Sequence, residues 1–161
     1  MTFYRRTLPH LQRDYKPHFL TFCTYQRWNL PNWARDIVLK CCLKDDQRKF
    51  DLHVTVVMPD HVHMIFTPLT DQQRGRVFSL AEITGGFKGV SSHRINQQLA
   101  RRGLIWQGES FDHVLRSSEQ LDQKIAYVMD NPVRRGLVAR HSDYRWLCVV
   151  HRNDLAPIAD S

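Results

Sequence analysis

Two histidines, His61 and His63, sit two residues apart where an extended run opens at Met58-Pro59-Asp60-His61-Val62-His63-Met64-Ile65-Phe66. Side chains alternate between faces along a strand, so the two imidazoles share one face while Val62, Met64 and Phe66 line the other. Neutral imidazole is the commonest metal-binding side chain, and an i, i+2 pair can offer two nitrogens to one divalent ion. Polar spacing on a half-exposed face gives the same pattern, so the pair alone does not establish a metal site.

A second stretch adds different chemistry. Ser117-Ser118 caps a helix whose apolar stripe is Leu121, Ile125, Val128 and Met129. Tyr127 falls roughly 120° away from that stripe, beside Gln120, Gln123 and Lys124. Asn131, four residues on, stacks above it on the same flank, so a phenol and an amide oxygen can approach one site together. Asn131-Pro132 is expected to end the helix, because proline pushes the residue before it out of the α region. The basic turn Val133-Arg134-Arg135-Gly136 follows at once.

Several elements must position these residues. A polar arm over residues 1–17 contains Tyr4-Arg5-Arg6, and His18–Gln26 alternates as a first strand with bulk on both faces. Pro31-Asn32 leads into a helix of about 17 residues, striped by Trp33, Ile37, Val38, Cys41 and Cys42. Leu52–Val57 is β-branched and ends at Pro59-Asp60, so a tight turn returns it as the His61–Thr67 strand, with the histidines at the turn end. Pro68–Arg76 reads as a loop. Ser79 and Glu82 form a capping box for a helix from Leu80 to about Arg102, stopped by Gly103. Gly85, Gly86 and Gly89 each cost about 1 kcal/mol there, which predicts a kink or a close approach by a partner. Phe111–Arg116 alternates as a fourth strand. The first six elements follow the βαββαβ succession of an α+β, ferredoxin-like fold with a four-stranded, mainly antiparallel sheet, and a C-terminal helix carries the tyrosine.

Composition narrows the partner. The 161 residues hold 23 Lys+Arg against 16 Asp+Glu, a net +7, and the excess is clustered at Arg5-Arg6, Arg101-Arg102 and Arg134-Arg135. Clustered arginine predicts a polyanion, with nucleic acid first, since each phosphate contact releases condensed counterions. The length suits one domain over 1–161, with residues 151–161 as a flexible tail. The four cysteines form no Cys-x-x-Cys, which argues against disulfides and zinc knuckles and for a reduced, cytoplasmic protein. No apolar run approaches the roughly 20 residues that cross a bilayer, and no membrane partner is expected.

Four stretches together resemble the REP-associated tyrosine transposases, a branch of the HUH single-strand DNA transposases with one active-site tyrosine. They are Tyr4-Arg5-Arg6, Val57–His63, Trp106-Gln107 with Phe111–Arg116, and Tyr127–Val138, and they span nearly the whole chain. The resemblance implies a ferredoxin-like fold, His61, His63 and Asn131 as ligands of Mg²⁺ or Mn²⁺, and Tyr127 as nucleophile. The implied reaction is nicking and rejoining of single-stranded or hairpin DNA through a 5′-phosphotyrosine. DNA contacts would come from Tyr4, Arg5, Arg6, Lys88, Arg134 and Arg135. The tyrosine helix can serve its own subunit or a partner's, which leaves a homodimer open.

Two rival functions use the same residues: a metal-dependent phosphodiesterase that activates water, with Tyr127 merely structural, and an RNA-binding module stacking bases on Phe22 or Tyr25. Three residues compete as third metal anchor. Asp60 adds negative charge near an incoming phosphate, and His113 shares a strand face with Phe111 and Leu115, as a core histidine would. Asn131 offers a neutral, hard oxygen suited to Mg²⁺.

Overall fold

The computed structural model describes residues 16–150; Tyr4, Arg5, Arg6 and the expected tail lie outside them. The sheet is antiparallel and has five strands, one more than expected, in the order β6-β1-β3-β2-β7. The strands are β1 (His18–Thr24), β2 (Phe50–Val57), β3 (His61–Pro68), β6 (Trp106–Val114) and β7 (Leu147–Val149). The helices are α1 (Asn32–Lys44), α2 (Leu80–Leu99) and α3 (Ser118–Arg134). The segment expected as a loop contains a small hairpin, β4 (Thr70–Asp71) with β5 (Arg76–Val77).

Strand β3 sits at the centre, and its two faces have different fates. Val62 pairs with Phe22 across β1, and Phe22 stacks on Phe87 of α2 at 5.3 Å between ring centroids. Val62, Met64 and Phe66, all fully buried, therefore belong to the main core between the sheet and helices α1 and α2. The opposite face, bearing Thr21, His61 and His63, looks toward α3, which packs on β2 and β3.

Several boundaries differ from expectation for identifiable reasons. β1 stops at Thr24, not Gln26, because Thr24 donates its hydroxyl hydrogen to the Trp28 carbonyl (2.7 Å) and the chain turns through Tyr25–Arg27. Helix α1 has 13 residues and not about 17, ending where Gln47 turns left-handed (φ 68°) into β2, which begins at Phe50. Helix α2 has the expected capping box, the Glu82 amide donating to Ser79 Oγ (3.1 Å) and the Ser79 amide to Glu82 Oε2 (2.8 Å). It ends at Leu99 with Ala100 left-handed, before Gly103 is reached. The helix is continuous through its glycines. The close neighbour at Gly86 is the end of α1, where a Cβ would meet Asp45 Oδ2 at 3.6 Å.

Helix α3 does not stop at Asn131 but runs through Pro132 to Arg134. Its end is set by Gly136 (φ 71°): the Gly136 amide donates to the Val133 carbonyl (2.9 Å) and the Leu137 amide to that of Pro132 (2.9 Å). This paired closure needs a left-handed residue that glycine supplies without strain, whereas a proline in the last turn loses only one helical bond. The chain then returns to the sheet edge. Tyr144 donates its hydroxyl hydrogen to the Val57 carbonyl (2.6 Å) and Trp146 its indole N–H to Asp36 of α1 (2.8 Å), which seats β7 beside β2.

Candidate active site

His61 and His63 are both buried, at 4 % and 7 % exposure, with ring centroids 4.8 Å apart. Each ring has its Nδ1 bonded to a neighbour. His61 Nδ1 lies 2.7 Å from Asp60 Oδ1, and His63 Nδ1 lies 2.7 Å from the hydroxyl of Thr21, its direct partner across β1. An ionised carboxylate only accepts, so His61 donates through Nδ1 and its Nε2 keeps the lone pair that a metal needs. Burial pushes His61 below the ordinary histidine value, more than the hydrogen bond and charge of Asp60 raise it. Burial likewise pushes His63 down, to about 3, reinforced by the positive potential of His61, Arg134, Arg135 and Lys124. Both imidazoles are therefore neutral at pH 7, the form that ligates. Burial alone would raise Asp60, but the His61 hydrogen bond and the charges of His61, Arg27 and Arg135 hold it below the usual carboxylate value.

Helix α3 brings the second half of the site. Its stripe is as expected: Val128 is buried, and Leu121, Ile125 and Met129 pack against the core. Tyr127 lies off that stripe and is 39 % exposed, with its ring set edgewise to Phe19 (6.1 Å) and His63 (5.9 Å). The Arg134 guanidinium lies over the Tyr127 ring at 4.1 Å and donates to the Tyr127 carbonyl at 3.0 Å. Asn131, one turn beyond, is buried on the same helix. His61, His63, Tyr127 and Asn131 all line one cleft of about 310 Å³, together with Arg134 and Arg135.

Thr21, Cys23 and Arg27 also line this cleft and were not singled out in the sequence. Thr21 follows from strand pairing, which one sequence does not reveal. Among the described residues no cluster of three His, Cys, Asp or Glu forms. A metal here would draw on the two imidazoles and the amide oxygen of the buried Asn131, a nitrogen and oxygen set that suits a divalent ion.

Other candidates lie elsewhere. Lys88 on α2 is spent on the Gln107 carbonyl (2.9 Å) and Ser110 Oγ (3.2 Å), away from the cleft. His113 is exposed on the edge strand β6 and is not a core histidine. Phe22 is closed between Phe87 and Trp106, and Tyr25 stands outside the sheet in the turn after β1, so Phe22 offers no face on which to stack a base.

Comparison with known proteins supplies the family. The family model described as "Transposase IS200 like" matches residues 12–131. A REP-associated tyrosine transposase of Escherichia coli (strain K12) is 28% identical over 99 residues, 60% of this chain and 53% of that protein. A Haemophilus influenzae relative is 25% identical over 100 residues, 59% of this chain and 56% of its own. The match thus spans little more than half the length of these relatives. A solved REP-associated tyrosine transposase bound to a REP hairpin superposes with a TM-score of 0.67 at 21% identity, over 83% of this chain and 76% of that one, which establishes the shared fold. The chain belongs to the IS200-like transposase family, and within it the similarity is to the REP-associated tyrosine transposases.

Proposed function

We propose that the protein nicks and rejoins single-stranded DNA at hairpin sequences, with Tyr127 as nucleophile and His61, His63 and Asn131 holding Mg²⁺ or Mn²⁺. The observation that carries this reading is the sharing of one basic cleft by a half-exposed phenol, two neutral imidazoles and a buried amide. Such an ion, when bound, supplies a Lewis acid that polarises the scissile phosphate and orients it.

The protein's own groups do the rest. The Tyr127 oxygen attacks phosphorus as its proton leaves to solvent; a bond from phosphorus to the tyrosine oxygen forms, and the bond to the 3′ oxygen breaks. One DNA fragment departs with a protonated 3′-OH, and the other stays linked through a 5′-phosphotyrosine. The phosphodiester bond is exchanged, not hydrolysed, so a 3′-OH can attack back and rejoin DNA. Arg134 holds the phenol by its ring face and its backbone carbonyl, which limits the approach angles open to the nucleophile. Arg135 gives the cleft positive potential for the phosphate backbone. Tyr4, Arg5 and Arg6 would add contacts from the N-terminal arm, and Lys88 would contribute only by exchanging its present partners.

The hairpin substrate rests on likeness to a relative solved with a REP hairpin. The test is to incubate the protein with Mg²⁺ and end-labelled single-stranded hairpin DNA, then run a denaturing gel. A shifted band absent with Tyr127→Phe is expected. Cleavage without any adduct would favour the phosphodiesterase that activates water.

A further inference from the structure

The turn after β1 carries two consecutive non-glycine residues in the left-handed region, Gln26 at φ 53° and Arg27 at φ 55°. L-residues avoid that region, and such strain persists only where the surroundings enforce it. The pair costs stability, and its product is the placement of one guanidinium. Arg27 Nε donates to Asp60 Oδ2 at 3.0 Å, Nη2 approaches the same oxygen at 3.0 Å, and Nη1 donates to Cys23 Sγ at 2.7 Å. The other oxygen of Asp60 accepts from His61 Nδ1 at 2.7 Å. Cys23 lies directly opposite His61 across β1 and β3. One guanidinium therefore ties together the residue that orients His61 and the residue that faces it.

We infer that Arg27 is a positioning residue for the metal centre: through Asp60 it fixes the tautomer and ring plane of His61, and it cancels the Asp60 charge at the mouth of a phosphate-binding cleft. The inference rests on His61 being a metal ligand, as proposed above. Three features support it beyond a surface ion pair. Both Asp60 oxygens are engaged, one by each partner, so the carboxylate has a single orientation. The guanidinium fork spans two acceptors, which a lysine ammonium on a flexible stem does not reproduce. A carboxylate that receives the second N–H of a ligating histidine is also the usual outer partner of protein metal sites, and its loss weakens metal binding about 10- to 100-fold. Arg27 itself is nearly half exposed, so as an ion pair alone it would contribute little to folding.

The test is Mn²⁺ binding to the whole protein without DNA, by titration calorimetry, for wild type, Arg27→Gln, Arg27→Lys, Asp60→Asn and the Arg27→Gln/Asp60→Asn double variant. Thermal unfolding of the metal-free proteins checks that each is folded. Asp60→Asn is expected to weaken Mn²⁺ binding about 10- to 100-fold. Arg27→Gln should weaken it about tenfold and Arg27→Lys should restore only part, while the double variant should match Asp60→Asn, because Arg27 acts through Asp60. Unchanged binding in Arg27→Gln, or a full additional loss in the double variant, overturns the inference. Absence of Mn²⁺ binding in wild type would instead overturn the metal site itself, a separate outcome.

Discussion

The two faces of β3 are built from alternate residues of one strand, yet they follow opposite rules. On the side of α1 and α2, Val62, Met64 and Phe66 are fully buried in the apolar core. On the side of α3, His61 and His63 are also buried, but each has its Nδ1 bonded and the face opens into the cleft. The first arrangement gains free energy from burying apolar surface. The second spends it, since buried imidazoles are desolvated and stay neutral. Stability and chemistry are thus separated by one residue along the chain, and substitutions on the two faces should fail in different ways.

The largest effect should come from crossing that boundary by one position. His63→Ala should reduce nicking at least about 100-fold, a loss of some 2.7 kcal/mol of transition-state stabilisation, while leaving a folded protein. Met64→Ala should do the reverse, lowering unfolding free energy by about 2–5 kcal/mol while nicking persists wherever the protein stays folded. Urea melts and nicking rates of the two variants check this; equal loss of stability in both would erase the distinction between faces.

A second contrast lies between two residues that each seemed able to complete the metal site. Asn131→Ala should raise the metal concentration needed for nicking about tenfold or more, with partial rescue by excess Mn²⁺. His113→Ala, exposed on β6, should leave that requirement unchanged. Metal titration of both nicking rates decides, and a shift in His113→Ala alone would reassign the ligand.

The neutral histidines also make the α3-facing side sensitive to acid. His63 is pushed down to about 3 in the folded protein, whereas the unfolded chain takes up its proton near the ordinary value of about 6.5. Below pH 6.5 the unfolded state binds more protons, so stability falls as pH drops from about 6.5 toward 3. With metal removed by chelator, the wild type should lose about 2 kcal/mol more than His63→Gln between pH 7 and pH 4.5. Parallel curves for the two proteins would mean that His63 is not held neutral by burial.

The smallest effect separates the two adjacent arginines. Arg134 is occupied by Tyr127, so Arg134→Ala should lower the nicking rate more than hairpin affinity. Arg135→Ala should instead flatten the dependence of log affinity on log salt by about 0.7–0.9 for one lost phosphate contact. Interchanged effects would swap the two roles.

How much of this was legible beforehand follows from range of interaction. The β2–β3 hairpin, the α2 capping box and the placing of Tyr127 off its apolar stripe depend on neighbours within a few residues, and sequence periodicity displays them. β7 was missed because Tyr144 and Trp146 are held by Val57 and Asp36, about 90 and 110 positions away. Pro132 alone suggests a stop at Asn131, whereas the left-handed turn at Gly136 closes the helix. That His61, His63, Tyr127 and Asn131 come to one cleft was readable from spacing and resemblance. Thr21 and Arg27 were not, since strand pairing and a strained turn bring them there.

With Tyr127 as the nucleophile, its phenol becomes covalently joined to DNA. The most direct measurement is mass spectrometry of the proteolysed reaction of wild-type protein, Mg²⁺ and a single-stranded hairpin. The peptide containing Tyr127 should carry the mass of a 5′-phosphorylated DNA fragment, and only when metal and DNA are both present. An unmodified Tyr127 peptide alongside cleaved DNA, or a nucleotide attached to any other residue, would contradict the account.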